Sequence, residues 1–487
     1  MTISSSHNNL DLIAVLLFSF VLLIVSALQG IYAAYPLMAS LLLFMLALRK
    51  RGFALAQLFK MAYAGARKAL PVIYVLWLIG ILTAVWMAAG TVPALVYYGT
   101  GLISPRFFLL WAFVLTGLVS TLIGTSFGTI STLGIALMVM ARASGLPENP
   151  VAGAIIAGAF VGDRCSPLSS SAHLVAAVTR TNLYRNLRNM LISGFWPLVI
   201  SLLFYAALAL AFPAANLSST ITAALPNAFD LSPVVLLPAI AVLLLAVGRV
   251  EVKLAMLVSI GLGVAIAHSL QHYSFLKIFQ FSLLGFQLGQ SSSQLSSLQT
   301  VLLGGGLMPM VKATFVVIIS TALAGIFSAS KILQFIDDWL THIRTQRQLK
   351  QATAVVSIFS NLFGCTQTIA ILLTQSIMHP HYSKYDQKHD QTHELTETVD
   401  SQLALDLEDT AVVIAPLIPW NIASLIPMAT LSVGSGFIPY AAYLFLLPLS
   451  VCFTQSSALT QISACNQISA CAPSVASSNA VSPKSAS

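Results

Sequence analysis

Thirteen stretches of the chain are almost wholly apolar, at about 10–28, 31–48, 70–90, 107–123, 128–142, 151–179, 190–212, 232–248, 254–270, 305–328, 351–378, 403–425 and 436–453. A transmembrane helix needs about 20 predominantly apolar residues. Hydrocarbon offers no hydrogen-bond partner to a bare backbone, so such runs predict helices. The pattern therefore predicts an all-α, polytopic integral membrane protein with about 12 transmembrane helices. The run at 10–28 lacks the basic flank and short core of a signal peptide, so it is expected to be retained.

Several runs are interrupted where they ought to be continuous. AGAFVGDRCSPLSSSAHLVA, at 157–176, places an Asp-Arg pair, a proline and four serines inside one of them. Comparable interruptions are GTSFGTISTLGIAL at 124–137, FGCTQTIAILL at 363–373 and LEDTAVVIAPLIPWN at 407–421. Each half of the chain thus has a Gly/Thr/Ser break, then an acidic residue followed by a Pro-Leu break. A broken helix is tolerated in a bilayer only where protein or water covers its unpaired backbone. Secondary transporters use such discontinuous helices to hold substrate and coupling ions near the midplane, commonly in two inverted-topology repeats. The expected organisation is an N-terminal hairpin and cytoplasmic loop (1–69), a first transport repeat (70–190) and connecting helices (191–304). A second transport repeat (305–453) and a disordered tail (454–487) follow.

Charge orients this plan. Basic residues cluster at Arg49, Lys50, Arg51, Lys60, Arg67 and Lys68, at Arg180, Arg185 and Arg188, and at Lys331, Arg344, Arg347 and Lys350. The positive-inside rule makes all three clusters cytoplasmic. Residues 89–105 contain no Lys or Arg, as an outer loop should, which puts them opposite their counterpart at 331–350. Residues 271–304 are expected to be interfacial, and 379–402 to form a polar loop. Composition agrees with a membrane protein: 57% hydrophobic, 8% charged, mean hydropathy +0.88, against roughly 25% charge in soluble domains. The pI near 9.3 then reflects cytoplasmic loops and implies membrane lipid, not nucleic acid, as the partner. The five cysteines form no disulfide framework.

Buried acids are the candidate chemistry. Among fifteen Asp and Glu residues, only Asp163, Asp406, Glu408 and Asp409 lie in or against apolar segments beside a break. A charge at the bilayer centre costs about 2.5–3.5 kcal/mol on insertion scales, so such residues are functional candidates. Asp163 and Asp409 are the expected ion carriers, with Glu408 ranked below Asp409. Hard cations prefer oxygen ligands, and the breaks supply them at Thr125, Ser126, Ser166, Ser169, Thr366, Gln367 and Asn421. Arg164 either offsets Asp163 or meets a small organic anion. A structural reading has Asp163 only pairing with Arg164 or capping the next half-helix.

Other signals carry less. GTSFG matches the hydrolase elbow G-x-S-x-G, which requires a strand-turn-helix setting; an intramembrane serine protease would pair Ser126 with His173 or His268. His379, His381, His389 and His393 fall in a segment rich in polar residues, better read as a solvated loop than as a metal site. There is no HExxH and no Walker A pattern, so no resident metal, cofactor or enzymatic activity is expected. A homo-oligomer is compatible with the sequence.

GTSFGT, VAGAIIAGAFVGDRCSPLSSSAHLVAAVTRTNLYRNLRNML and LEDTAVVIAPLIPWN resemble the NhaC family of sodium/proton antiporters over roughly residues 70–453. The resemblance implies a multi-pass inner-membrane protein that exchanges sodium for protons, some relatives exchanging organic acids or amino acids instead. The family-like positions are Thr125, Ser126, Gly128, Gly162, Asp163, Ser166, Pro167, Ser169, Asp409, Pro416, Trp420 and Asn421. Many members read SPLSDTTN where this chain has SPLSSSAH, and GDQ where it has CTQ. Two acids and an Asn of that pattern are accordingly Ser170, Thr366 and His173 here. The GDRCSP and FGCTQ wording matches a branch of the family.

Overall fold

A computed structural model describes residues 9–102, 105–212, 225–248, 250–287, 305–330, 340, 343, 345–389 and 396–453. The apolar runs become helices: α1 (Asn9–Leu28), α2 (Ala34–Lys50), α3 (Leu55–Arg67), α4 (Leu70–Ala88), α5 (Thr91–Leu102) and α6 (Phe108–Ile123). After them come α7 (Ser126–Ala143), α8 (Glu148–Cys165), α9 (Ser170–Thr179), α10 (Leu183–Ala211), α11 (Leu237–Val247), α12 (Val252–Ser269) and α13 (Phe275–Leu284). The last are α14 (Leu307–Ser330), α15 (Gln346–Gly364), α16 (Gln367–His389), α17 (Thr396–Leu407), α18 (Ile422–Leu431) and α19 (Ala442–Phe453). Among the described residues, five helices are long and apolar enough to cross a membrane, or seven when each of two bent pairs is taken as one span. Those pairs are Glu148–Cys165 with Ser170–Thr179, bent by 42°, and Asp400–Leu417 with Ile422–Leu431, bent by 47°. The wide apolar face of α10, with Leu191, Phe195, Trp196 and Leu203 exposed, has no aqueous role and suits lipid.

Small residues set the tightest packing. Gly158 and Gly162 of α8 are four apart, and a Cβ on either would collide with α6, at Thr116 and Phe113 or at Ser120 and Thr121. Without a hydrophobic force between helices in lipid, such close backbone approach is what dispersion needs. Ser120 then donates across the contact to the Ala159 carbonyl at 2.5 Å. This seam fixes α8, and with it the residues that end α8.

Two segments differ from the sequence expectation. Residues 89–105, expected as an outer loop, contain α5, whose Thr91, Val92, Ala94 and Val96 are buried. The absence of charge there reflects burial of a short helix. The expected polar loop at 379–402 is helical where described: α16 runs through Pro380 to His389, and α17 starts at Thr396. Its polar composition concealed Tyr382 and Tyr385, which continue the buried stripe of Ile371 and Met378 at the spacing of one helix face. His379 meets Asp400 at 3.7 Å. His393, residues 288–304 of the stretch 271–304 expected as interfacial, and the tail from 454 lie outside the described residues.

Candidate functional site

Each half of the chain ends one helix and begins the next within two residues. Gly124 adopts a left-handed conformation (φ +78°) after α6, and Thr125 then accepts a hydrogen bond from the Gly128 N–H at 3.4 Å, capping α7. Cys365 does the same after α15 (φ +52°), and Thr366 accepts from the Ile369 N–H at 3.1 Å. A left-handed non-glycine residue costs about 1–2 kcal/mol. The Ile422 N–H donates to the Cys365 carbonyl at 2.9 Å, which helps hold that turn in place.

The bent pairs are stitched at their breaks. Ser166 donates to the Thr121 carbonyl at 2.7 Å and accepts from the Leu168 N–H at 3.1 Å. Asn421 caps α18 through the Ala423 N–H at 3.0 Å while its amide donates to Asn361 at 3.2 Å. Trp420 donates to the Leu362 carbonyl at 2.8 Å. Thr125, Ser166, Thr366 and Asn421 are therefore occupied in holding the breaks.

Asp163 lies in the last turn of α8, 5% exposed. Ser169, the N-cap of α9, donates to its carboxylate at 3.5 Å, and Ser169 and Ser171 are 2.8 Å apart. The side chain of Gln367, and both the backbone N–H and the hydroxyl of Ser126, also reach that carboxylate. Gln367 donates in addition to the Val412 carbonyl at 3.2 Å. Asp163, Ser126, Ser169 and Gln367, drawn from four helix ends and both halves, thus converge. The carbonyl end of α8 adds partial negative charge beside this carboxylate.

Arg164 does not offset Asp163, as the sequence suggested. Neighbours in a helix point about 100° apart and do not face each other. Its guanidinium, fully buried, donates instead to Asp409, forming an ion pair, and to Ser193 at 2.7 Å. It donates further to the Met190 carbonyl at 3.0 Å and the Tyr443 hydroxyl at 3.2 Å. Ser193 also donates to Asp409 at 3.3 Å. Gly194 makes room: a Cβ there would stand 2.8 Å from the guanidinium. Ser193, Gly194 and Tyr443 were missed in the sequence because no motif contains them.

Glu408 and Asp409 open an irregular wide turn, Glu408–Val412. Glu408 is fully buried, and neither of its oxygens has a hydrogen-bond partner among the described residues. Asp406 occupies a separate polar cluster, taking hydrogen bonds from Tyr382 at 2.6 Å and Gln402 at 2.7 Å. Lys350, expected in a cytoplasmic loop, is only 8% exposed and faces that cluster. His173 bonds the Pro167 carbonyl and His268 the Tyr273 carbonyl, each at 3.0 Å. Neither ring is hydrogen-bonded to Ser126, as a serine protease would require.

The model of the Na+/H+ antiporter family matches residues 7–178 and 159–454, nearly the whole described chain. The chain belongs to the Na+/H+ antiporter family. It is 30% identical over 451 residues to the Na(+)/H(+) antiporter NhaC of Bacillus subtilis, covering 90% of this chain and 96% of that one. It is 29% identical over 393 residues to NhaC of Alkalihalophilus pseudofirmus, covering 79% and 81%. It is also 27% identical over 325 residues to the Malate-2H(+)/Na(+)-lactate antiporter of Bacillus subtilis, covering 66% and 69%. Family and apolar helices together make this antiporter-family chain a multi-pass membrane protein.

Proposed function

We propose that the protein is a secondary active antiporter that exchanges sodium for protons at a buried carboxylate, Asp163. The observation that carries the reading is the convergence of Ser126, Ser169 and Gln367 on this acid, where the ends of broken helices meet. A carboxylate that cannot hold a proton and a cation together exchanges one for the other. Hydroxyl and amide oxygens complete a shell of hard ligands suited to a small cation. The fit to both NhaC relatives over most of their length supports sodium as the cation. Asp409 serves this site through its pairing with Arg164.

Organic-anion exchange is the second reading, favoured by the malate/lactate relative and by an apolar cavity of about 450 Å³ lined in part by Cys165, Met190, Gly194 and Tyr443. It requires Arg164 to grip a substrate carboxylate, yet the guanidinium is already engaged by Asp409, Ser193, Met190 and Tyr443. The cation reading leaves these contacts intact, and we prefer it. Uptake into proteoliposomes, with sodium, lithium, potassium and a panel of organic and amino acids, decides between them. Proton-driven sodium flux with no organic-acid flux is the expected result; organic-acid flux without sodium/proton exchange overturns it.

The reading places the two halves, 70–190 and 305–453, as inverted repeats among about a dozen spans in the cell's inner membrane, as a monomer or homo-oligomer. The repeated order of left-handed turn, capping Thr and bent pair supports the repeat; its inversion is tested by labelling. In a cysteine-free background, Arg347→Cys should react with an impermeant thiol reagent only from the cytoplasmic side, and Tyr97→Cys only from the other. Both side chains are exposed. Reaction of both from one side removes the inversion.

A further inference from the structure

Of the four intramembrane acids, three have partners: Ser169, Ser126 and Gln367 for Asp163, Tyr382 and Gln402 for Asp406, and Arg164 and Ser193 for Asp409. Glu408 has none among the described residues, although it is fully buried. A buried carboxylate with no donor facing it is costly and persists only when a proton or a cation neutralises it. Its position is specific. The wide turn Glu408–Val412 departs from the ordinary α-helical repeat, and such turns recur at functional sites. Around Glu408 stand Asp163, Arg164 and Cys165 of α8 and its neighbour Asp409, close enough for their charges to act on it. Lys350 and Tyr443 stand beyond Asp409.

We propose that Glu408 is the second exchanging carboxylate of the ion site, so that one sodium bound with Asp163 and Glu408 replaces two protons. The inference rests on the antiport reading above and deepens it. Asp409 is not this second group, because the Arg164 guanidinium already balances its charge. Glu408, contributed by the second half, and Asp163, contributed by the first, form no ion pair among the described residues; the Arg164 charge that reaches Glu408 is held by Asp409. With a proton on each, both carboxyls are neutral. When both protons leave and one sodium arrives, the pair and its ion carry a net charge of −1. Each exchange cycle then moves one net charge across the membrane, which makes the exchange sensitive to membrane potential.

The test counts protons released when sodium binds the purified, weakly buffered full-length protein at a pH where the sodium-free site is protonated. Wild type should release two protons per sodium. Glu408→Gln and Glu408→Met should each release one and bind sodium at least about tenfold more weakly. Glu408→Met removes an unpaired buried polar group and should fold at least as stably as wild type, so a loss seen there is not unfolding. In proteoliposomes, a potential imposed with valinomycin and potassium should speed exchange by wild type and leave any exchange by Glu408→Met unaffected. Release of the same number of protons by wild type and both variants overturns the role of Glu408 and leaves the antiport reading standing. Absence of sodium-linked proton release from wild type overturns the antiport reading itself.

Discussion

Asp163→Asn should abolish sodium/proton exchange in proteoliposomes, down to the leak of empty vesicles, while the protein still inserts and folds. The amide keeps the shape of the carboxyl and an oxygen to accept from Ser169 and Gln367, but it neither takes up a proton nor carries the charge that draws sodium. The cost to folding should stay near one lost charged hydrogen bond, about 1.5–3 kcal/mol. Retention of near wild-type flux would make Asp163 a structural cap for α9 and remove the basis of the proposed mechanism. A parallel thermal melt separates loss of chemistry from loss of fold.

The other large effect is on stability. Arg164→Met leaves Asp409 buried with Ser193 as its one hydrogen-bond donor among the described residues, and breaking one side of a buried pair costs about 3–5 kcal/mol. Restoring neutrality with Asp409→Leu in the same chain should recover much of that loss, because well-packed apolar residues often replace a buried pair at little cost. Arg164→Lys should fall between, since an ammonium does not fork to Asp409, Ser193, Met190 and Tyr443 at once. Thermal unfolding in detergent checks the series. Equal stability of Arg164→Met and wild type would show that the pair contributes nothing to the fold.

The helices and their breaks were legible in the sequence because both are local. Apolar length marks α4, α10 and α14, and a glycine, serine or proline cluster inside such a run marks 124–126 and 166–169. The acid at Asp163 was legible for the same reason. Who pairs with whom was not. Arg164 follows Asp163 in the chain yet finds Asp409 from the other half, guided by helix direction and by the gap left at Gly194. From sequence Glu408 ranks below Asp409, because a glutamate so placed is more often an interface residue. The wide turn that separates their surroundings leaves no signature in residue spacing. The helix through His379 was hidden because its buried stripe is spread thinly among polar residues.

The Arg164–Asp409 pair joins positions 245 residues apart, and this bears on how the chain is made. A ribosome adding about 5–20 residues per second needs roughly 12–50 s to deliver Asp409 after Arg164 has left the tunnel's start. Through that interval α8 carries an arginine and an aspartate into the translocon with no counter-charge from the second half. Each charge opposes insertion by about 2.5–3.5 kcal/mol at a span's centre, so α8 depends on its apolar remainder and on the glycine seam with α6 to stay committed. A nascent chain stopped before residue 409 keeps a guanidinium that has lost its Asp409 partner. Completion of synthesis, and not insertion of the first half, is the step that closes the fold.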